Sequence, residues 1–302
     1  MSDDAEKLIN ESIEAEELSE IYNNGNYSCF AVKIKGASHI KDGTECQDSF
    51  KIIEADIDGS KIIISAVADG HGGKKYYLSK YGADILTSCI CEVLIKIVYD
   101  NSRNNYETDI LYKSIKEDMP AKLFTLWSET VLQDYAQRNK NGTEPDVEDE
   151  IEILAKYGTT AMFCLNIGKN FLFGKLDGNI VVCVDGEYFE PIGEDDELMG
   201  SEAYSMCKRK NALYKWGFGI SYDTEFLSVS TDGLRNAFGD DDDNTDFING
   251  IKSIQSYIIE HGCNKTKEAL PAFLRRCSDN GSTDDITLVC FNKNTEKVDV
   301  NL

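Results

Sequence analysis

The sequence has few histidines and prolines, no zinc-type cysteine spacing and no long apolar run. Its 302 residues include three histidines and four prolines, and none of its ten cysteines forms a C-x-x-C pair. A structural zinc site is therefore not expected. No apolar stretch is long enough to span a bilayer, and the acidic N-terminus MSDDAEKLIN lacks the apolar core of a signal peptide. We therefore expect reduced thiols and a cytoplasmic location.

Positive charge is also scarce. Lysine and arginine together number 31 against 54 aspartates and glutamates, which gives a net charge of -23. Such a field repels nucleic-acid phosphates and anionic membrane surfaces, so neither is an expected partner. It also repels an anionic substrate, so phosphate chemistry here needs cations that reverse the local sign. Charge alone favours a simpler interpretation, in which the acidity only keeps the protein soluble.

Neither an internal repeat nor a proline- or glycine-rich linker divides the chain. We predict a single domain over residues 28–302, preceded by an acidic helix or tail over residues 1–27. Residues 194–219 interrupt the rhythm of the strands and are predicted to form a flap-like insertion over the sheet edge.

Strand and helix patterns occupy separate parts of the sequence. Apolar, partly β-branched runs bounded by turn residues predict strands at residues 29–34, 48–54, 61–68, 225–231 and 286–291, with a meander of short strands from residue 158. Apolar residues at three- and four-residue spacing predict helices at residues 74–99, 121–138, 247–259 and 265–277. This segregation favours an α+β layered domain over alternating βαβ units.

Three of the predicted strands carry aspartates where they end or begin. Asp69 follows KIIISAVA, Asp232 follows EFLSVST, and Asp284 precedes ITLVCF. In an antiparallel sheet the exit of one strand lies beside the entrance of its neighbour, so we expect these side chains to converge on one edge. Crowded carboxylates repel one another unless cations or protons neutralise them. Ligation by oxygen alone selects hard cations such as Mg²⁺ or Mn²⁺.

A metal site at these aspartates could hydrolyse a phosphoester. The glycine after Asp69 lets the backbone approach a ligand closely, so the Gly70 carbonyl is a further candidate ligand. Two metals bridged by one carboxylate lower the pKa of a shared water and stabilise an in-line attack on phosphorus. His71 is placed to protonate the leaving oxygen as a general acid. Each feature alone is weak, because Asp-Gly is a common turn and a lone histidine is more often a capping or loop residue.

Taken together and in order, these motifs resemble the metal-dependent protein phosphatase family, type 2C, in a bacterial-like branch. The resemblance covers residues 28–292 and rests on Gln47-Asp48, Asp69-Gly70-His71-Gly72-Gly73, Gly158-Thr159-Thr160-Ala161, Asp177-Gly178, Ser230-Thr231-Asp232-Gly233-Leu234 and Asp284-Asp285-Ile286-Thr287. It implies an α+β fold, a four-layer α/β/β/α sandwich with two central antiparallel sheets and a binuclear metal cleft at one edge. It also implies hydrolysis of phosphoserine or phosphothreonine in a phosphoprotein substrate by attack of a metal-bridging water.

The resemblance further implies roles for individual residues around two Mn²⁺ or Mg²⁺ ions. Asp48 would hold a metal-bound water, and His71 would be the general acid. The implied metal ligands are Asp69, which bridges both ions, the Gly70 carbonyl, Asp232, Asp284 and, at a weaker third metal, Asp177.

The sequence departs from the family pattern at three positions. Gly43 stands where the family usually places an arginine that grips the phosphate. Gln47 replaces the usual glutamate before Asp48, and Asn236 replaces a second aspartate near the third-metal site. These departures put phosphate binding and full activity in doubt.

A local histidine motif suggests how the missing arginine is replaced. GASHIKDGTECQDSF is similar to a Gly-x-Ser-His…Cys-Gln-Asp version of this region in some bacterial members. We therefore hypothesise that His39 or Lys41 contacts the substrate phosphate. The alternative, that both are ordinary loop residues, is equally consistent with the sequence.

Two classes of function stay open at this point, because the ordered motifs make a third, an acidic α+β protein with accidental Asp-Gly turns, remote. One is a working phosphoprotein phosphatase, expected to be a monomeric signalling enzyme. The other is a non-catalytic relative that keeps the fold and serves as a binding or regulatory module, which loss of the arginine and glutamate favours. Retention of Asp48, Asp69, His71, Asp232 and Asp284 favours the enzyme more strongly, because a bare aspartate cluster is costly to keep folded without metal.

Overall fold

Strands and helices occupy separate layers in the computed structural model, which describes residues 16–102, 107–193, 203–239 and 244–294. The strands are β1 (Glu16–Leu18), β2 (Tyr22–Asn23), β3 (Tyr27–Ile34), β4 (Asp48–Ile57), β5 (Ser60–Asp69), β6 (Met162–Ile167), β7 (Asn170–Lys175), β8 (Asn179–Val184), β9 (Glu187–Phe189), β10 (Gly217–Ser221), β11 (Phe226–Ser230) and β12 (Ile286–Lys293). The helices are α1 (Ala37–Asp42), α2 (Ser79–Asn101), α3 (Thr108–Lys140), α4 (Glu150–Lys156), α5 (Arg209–Tyr214), α6 (Asp232–Asn236) and α7 (Thr245–Cys277).

The strands form two antiparallel sheets whose inner faces pack against each other. The seven-stranded sheet has the order β1-β3-β12-β11-β8-β9, with β2 also paired to β3, and the five-stranded sheet has the order β10-β7-β6-β5-β4. In β5, Ile63 and Val67 belong to the core between the sheets, whereas Ile64 and Ala66 belong to the core under the outer helices. A strand covered on both faces needs apolar residues at nearly every position, as the sequence of β5 has.

Helices cover the outer face of each sheet. Helices α2, α3 and α4 pack on the five-stranded sheet, where Trp127 is fully buried, and α7 packs on the seven-stranded sheet through Ile251 and Leu274. Gly82 of α2 permits a very close contact, because a Cβ there would lie 2.0 Å from the carbonyl oxygen of Tyr157. The four layers confirm the predicted α/β/β/α sandwich. No helix in the described ranges is both long and apolar enough to cross a membrane.

Several helix boundaries differ from the prediction. Helix α3 begins at Thr108, and Pro120, a residue type that often opens a helix, lies inside it. The two helices predicted at residues 247–259 and 265–277 are the halves of α7, which Gly262 divides with a φ of 82°. The turn-rich segment after β3 contains the short helix α1, and α4 was not predicted because seven residues carry too little periodicity.

The N-terminal prediction is wrong where the structure describes it. Residues 16–18 and 22–23 are not helix or tail but the strands β1 and β2, both paired with β3. Glu17 also forms an ion pair with Lys33, with 2.6 Å between Oε2 and Nζ. Pairing with an existing strand thus determines the conformation of a segment whose own sequence has little strand character. Residues 1–15, with the rest of the predicted helix, lie outside the described residues.

The predicted flap extends too far. Residues 194–202 lie outside the described residues, and the chain from Ala203 leads into α5. Gly217 and Gly219, however, pair with Lys175 and Phe173 as part of β10. The insertion therefore ends before Gly217, and its last predicted residues belong to the five-stranded sheet. The division into one domain and an N-terminal segment stays a prediction.

Candidate active site

One edge of the five-stranded sheet brings two aspartates together. Asp48 opens β4 and Asp69 closes β5, and the two residues are directly opposite each other in the register. Beyond Asp69 the backbone turns tightly, because Gly70 N donates to the carbonyl oxygen of Gln47 at 3.1 Å. A Cβ at Gly70 would lie 2.7 Å from that oxygen, so only glycine fits.

The loop before β6 holds this edge in place. Thr160 N donates to the carbonyl oxygen of Asp69 at 2.8 Å, and Thr160 Oγ1 accepts from Asp69 N at 3.0 Å. Thr159 Oγ1 donates to the same carbonyl oxygen at 2.8 Å. The two threonines, which by default would be ordinary strand residues, thus fix the backbone of Asp69.

The seven-stranded sheet contributes the other two aspartates. Asp232 follows β11 as the first residue of α6, and Asp284 lies just before β12. Gly233 lets these elements approach, because a Cβ there would lie 2.2 Å from the carbonyl oxygen of Asp285. The glycine after Asp232 therefore serves packing of the backbone.

Thr231 links the two sheets. Its Oγ1 donates to Asp48 Oδ2 at 2.9 Å and accepts from Thr287 N, also at 2.9 Å. Asp48 is only 2% exposed and is not among the residues that line the cavity described next. Its carboxylate is thus part of the contact between the sheets.

A cavity of about 440 Å³ opens at the meeting point of the two sheets. It contains most of the predicted site residues and several that were not predicted. Among its lining residues are Asp69, Gly70, His71, Asp177, Asp232, Asp284 and His39 from the prediction, and Gln47, Tyr76, Ser205, Lys208 and Asp285. Lys41, by contrast, is exposed and does not line the cavity.

The acidic side chains are crowded without being neutralised. Burial and the charges of Asp48, Asp232 and Asp284 raise the pKa of Asp69 well above its usual range. Burial and the charge of Asp285 do the same to the pKa of Asp48, and burial and Asp232 raise the pKa of Asp284. Convergence of the strand-end aspartates is therefore confirmed, at a considerable electrostatic cost.

Asp232 supplies a direct sign that a cation fits this cavity. Its Oδ2 accepts from Asn236 Nδ2 at 3.2 Å, whereas its buried Oδ1 has no hydrogen-bond partner in the described parts of the chain. No three His, Cys, Asp or Glu side chains within those ranges converge as a ready ligand cage. A cavity lined by mutually repelling carboxylates and an orphaned oxygen suits hard cations, which would draw the side chains together.

Asp177 occupies the tight turn between β7 and β8. Its Oδ1 accepts from Gly178 N at 2.7 Å, and Gly178 has a φ of 94°. Burial raises the pKa of Asp177 even though that hydrogen bond lowers it. The residue is therefore both the hairpin residue that its sequence suggests and a lining residue of the cavity.

His71 is half-buried, and its surroundings favour the neutral imidazole. Its ring packs edge-on against Tyr76 with 5.0 Å between centroids. Burial lowers the pKa of His71 to about 4, and the charges of Lys208 and Lys75 add to this effect, whereas Asp232 opposes it. A neutral imidazole has no imidazolium proton to give at pH 7, which argues against the predicted general-acid role.

Asp285 has the opposite effect on His39, because it raises the pKa of that imidazole. The distance between His39 Nδ1 and Asp285 Oδ2 is 2.9 Å, and this hydrogen bond raises the pKa of His39 despite its partial burial. Asp285 is 3% exposed and also accepts from Gly36 N and Gln47 N, each at 2.6 Å. Although burial raises the pKa of Asp285, these hydrogen bonds lower it below its usual range.

Asp285 is the functional residue that the sequence prediction missed. The sequence Asp284-Asp285 does not show which of the two side chains faces a ligand and which forms hydrogen bonds within the protein. The Gly-x-Ser-His segment was the available signal, because its histidine needs a buried carboxylate to hold it.

Comparisons with known proteins agree with this geometry. Residues 35–275 match the family model described as Protein phosphatase 2C. A serine-threonine phosphatase 2C from Toxoplasma gondii aligns with a TM-score of 0.56 and 11% identity, over 92% of this chain and 99% of that one. The Mycobacterium tuberculosis serine/threonine phosphatase PstP/Ppp aligns with a TM-score of 0.51 and 15% identity, over 89% and 100%. A bacterial serine phosphatase gives 0.51 and 15%, over 89% and 99%. These low identities show the fold alone, and no curated protein matches the sequence.

Proposed function

This chain belongs to the protein phosphatase 2C family, and on that premise we propose which residues of the cavity carry its metal-dependent serine/threonine phosphatase activity. Asp69, the Gly70 carbonyl, Asp232 and Asp284 would hold two Mn²⁺ or Mg²⁺ ions, with Asp177 at a weaker third metal. The orphaned Oδ1 of Asp232 inside the crowded cavity is the observation that carries this assignment. When bound, such cations activate water and neutralise the charge of a phosphoester.

Asp48 contributes mainly by placement in this proposal. Its Oδ2 is engaged by Thr231, and its position opposite Asp69 fixes where the two sheets meet. We keep the predicted role of Asp48 in binding a water of the metal site, which its second carboxylate oxygen would perform.

We assign phosphate contact to His39 instead of Lys41. His39 lines the cavity and Lys41 does not. Asp285 engages Nδ1 and favours the imidazolium form, which leaves Nε2 as the nitrogen that a phosphate can contact. His39 therefore places a positive charge where Gly43 supplies none, and it has a proton to give to a leaving oxygen.

The partners and location are part of the proposal. A phosphoprotein is the expected substrate, and the net charge of -23 disfavours nucleic acid and anionic membranes as partners. All ten cysteines are free thiols, six of them buried and four half-buried, which supports a reducing, cytoplasmic setting. We propose a monomer, which light scattering on the purified protein would test.

One assay tests the assignment. Hydrolysis of p-nitrophenyl phosphate and of a phosphoserine peptide should require Mn²⁺ or Mg²⁺, and chelation should abolish it. Asp232→Asn should lose both turnover and Mn²⁺ uptake in calorimetry, whereas the exposed Asp100→Asn should change neither. A wild-type protein that takes up metal without turnover would instead be a binding module.

A further inference from the structure

The cavity is lined by more acidic than basic residues, although a phosphate has to bind there. Five of its lining residues are aspartates: Asp69, Asp177, Asp232, Asp284 and Asp285. Two divalent cations would offset four of those charges and His39 the fifth, which leaves no surplus positive charge for a doubly negative phosphate. A phosphate site therefore needs further cationic side chains.

The lining residues offer few such side chains. In the part of the chain that the structure describes, the basic residues lining the cavity are His39, His71 and Lys208. The ring of His71 packs against Tyr76, and His39 is already paired with Asp285. Gly43, at the position where the family places its arginine, ends α1 with a φ of 71° and does not line the cavity. Lys208 thus carries a positive charge that no lining residue is shown to neutralise.

The backbone around Lys208 is firmly held. Met206 is fully buried, and its N donates to the carbonyl oxygen of Thr159 at 2.9 Å. Lys208 N donates to the carbonyl oxygen of Ser205 at 3.1 Å, and the carbonyl oxygen of Lys208 accepts from Ala212 N at 3.0 Å at the start of α5. Buried residues on both sides therefore fix the position from which the lysine extends.

The same hydrogen bonds connect Lys208 to the metal edge. Thr159 accepts from Met206 N through its carbonyl oxygen, and its Oγ1 donates to the carbonyl oxygen of Asp69. Thr159 therefore connects the segment that carries Lys208 to the backbone of Asp69 by hydrogen bonds on both sides. Lys208 itself lines the cavity together with Asp69 and Asp232, so its charge lies at the same opening as the proposed metal ligands.

We infer that Lys208 contacts the substrate phosphate and supplies the permanent positive charge that the glycine at position 43 does not. This inference rests on the proposed function. Lysine binds phosphate as a flexible point charge, so an exposed side chain on a fixed backbone can reach into the cavity without losing its solvation beforehand. It would act together with His39, which comes from α1, a different part of the chain.

Three variants test this inference against Mn²⁺-loaded wild-type protein. Lys208→Ala should raise both the KM for p-nitrophenyl phosphate and the Kd for inorganic phosphate by about 10-fold, because a charged hydrogen bond is lost. Lys208→Arg should restore most of that affinity. Lys210→Ala, which removes the same charge from an exposed residue outside the cavity, is the matched control and should leave both constants unchanged.

The readouts separate the possible failures. Calorimetry with inorganic phosphate reports binding, and calorimetry with Mn²⁺ should give wild-type uptake in all three variants. An unchanged Kd for phosphate in Lys208→Ala, or an equal rise in Lys210→Ala, would overturn the role of Lys208 while leaving wild-type turnover intact. A wild-type protein without turnover would overturn the proposed function, and phosphate binding would then still decide the role of Lys208.

Discussion

Asp284 and Asp285 are neighbours in sequence, yet the two corners of the cavity that they occupy are opposite in kind. The corner of Asp285 is complete, because its carboxylate accepts from two backbone N–H groups and His39. The corner that Asp284 shares with Asp69 and Asp232 is incomplete. Burial and mutual repulsion raise the pKa values of Asp284 and Asp69, and one oxygen of Asp232 has no hydrogen-bond partner among the described residues.

The difference separates structural from ligand-binding carboxylates. A buried carboxylate with its hydrogen bonds satisfied stabilises the fold and fixes its neighbours. A buried carboxylate without them costs stability until a cation arrives. Residue type and motif are the same in both corners, so the hydrogen-bond partners are what distinguish the two roles.

The largest expected effect lies in the incomplete corner. Asp69→Asn should lower metal-dependent turnover by more than about 100-fold, because even residues that only support a metal ligand cost that much. In metal-free protein the same change should raise the free energy of unfolding by about 1 kcal/mol, since it removes a charge from the crowded group. Turnover assays and urea denaturation check the two parts. A metal-free variant less stable than wild type would contradict this account of the corner.

The second test breaks the complete corner. Asp285→Ala should lower the free energy of unfolding by about 3 kcal/mol, because two backbone N–H groups and an imidazolium lose a buried partner. Urea denaturation without metal measures this loss. Asp279→Ala, an exposed aspartate in the preceding turn, is the control and should be neutral. Equal stability of the Asp285 variant and wild type would show that this corner is not complete.

Metal should stabilise the protein in a pH-dependent way. The pKa of Asp69 in the folded, metal-free protein is raised above its unfolded value, so that state binds more protons. Metal-free stability should therefore fall as the pH rises above about 4, the unfolded value. A Mn²⁺ concentration 100 times the Kd measured near neutral pH should raise the free energy of unfolding by about 2.7 kcal/mol at that pH. The same concentration should raise it by less in acid. Thermal denaturation from pH 5 to 8 with and without Mn²⁺ measures this, and a pH-independent gain would contradict it.

The smallest expected effects concern His39, Lys41 and His71, whose contributions to KM and kcat can be compared. His39→Ala should raise the KM for a phosphate ester by about 10-fold through loss of one charged hydrogen bond. Lys41→Ala should leave it within about 2-fold, because that side chain lies outside the cavity. A comparison of kcat for His39→Ala and His71→Ala then tests which histidine donates a proton. A dominant kcat loss in His71→Ala would favour the original prediction.

The sequence predicted the incomplete corner better than the complete one. Apolar runs that stop at Asp69 and Asp232 place these residues at strand ends by local pattern alone, and sheet geometry then brings them together. The role of Asp285 depends on a contact with His39, 246 residues away in sequence, which no local pattern contains. The same applies to Lys208, whose place follows from the pairing of Met206 with Thr159.

The strand β1 illustrates the corresponding limit for the fold. Its sequence Glu-Glu-Leu is exposed at all three residues, so it has no alternating pattern to detect. It forms a strand because its backbone pairs with the strand β3. The helix or tail predicted there was wrong because pairing with β3 determines the conformation of this segment.

Three glycines near the aspartates restrict where the site can be changed by substitution. Added Cβ atoms at Gly36, Gly70 and Gly233 would lie 2.4, 2.7 and 2.2 Å from neighbouring backbone atoms, so none of these positions tolerates a side chain. Gly70, the one of these three that lines the cavity, is therefore closed to substitution. We expect a change in substrate preference to come from exchangeable lining residues such as Ala203, Ser205 and Lys208.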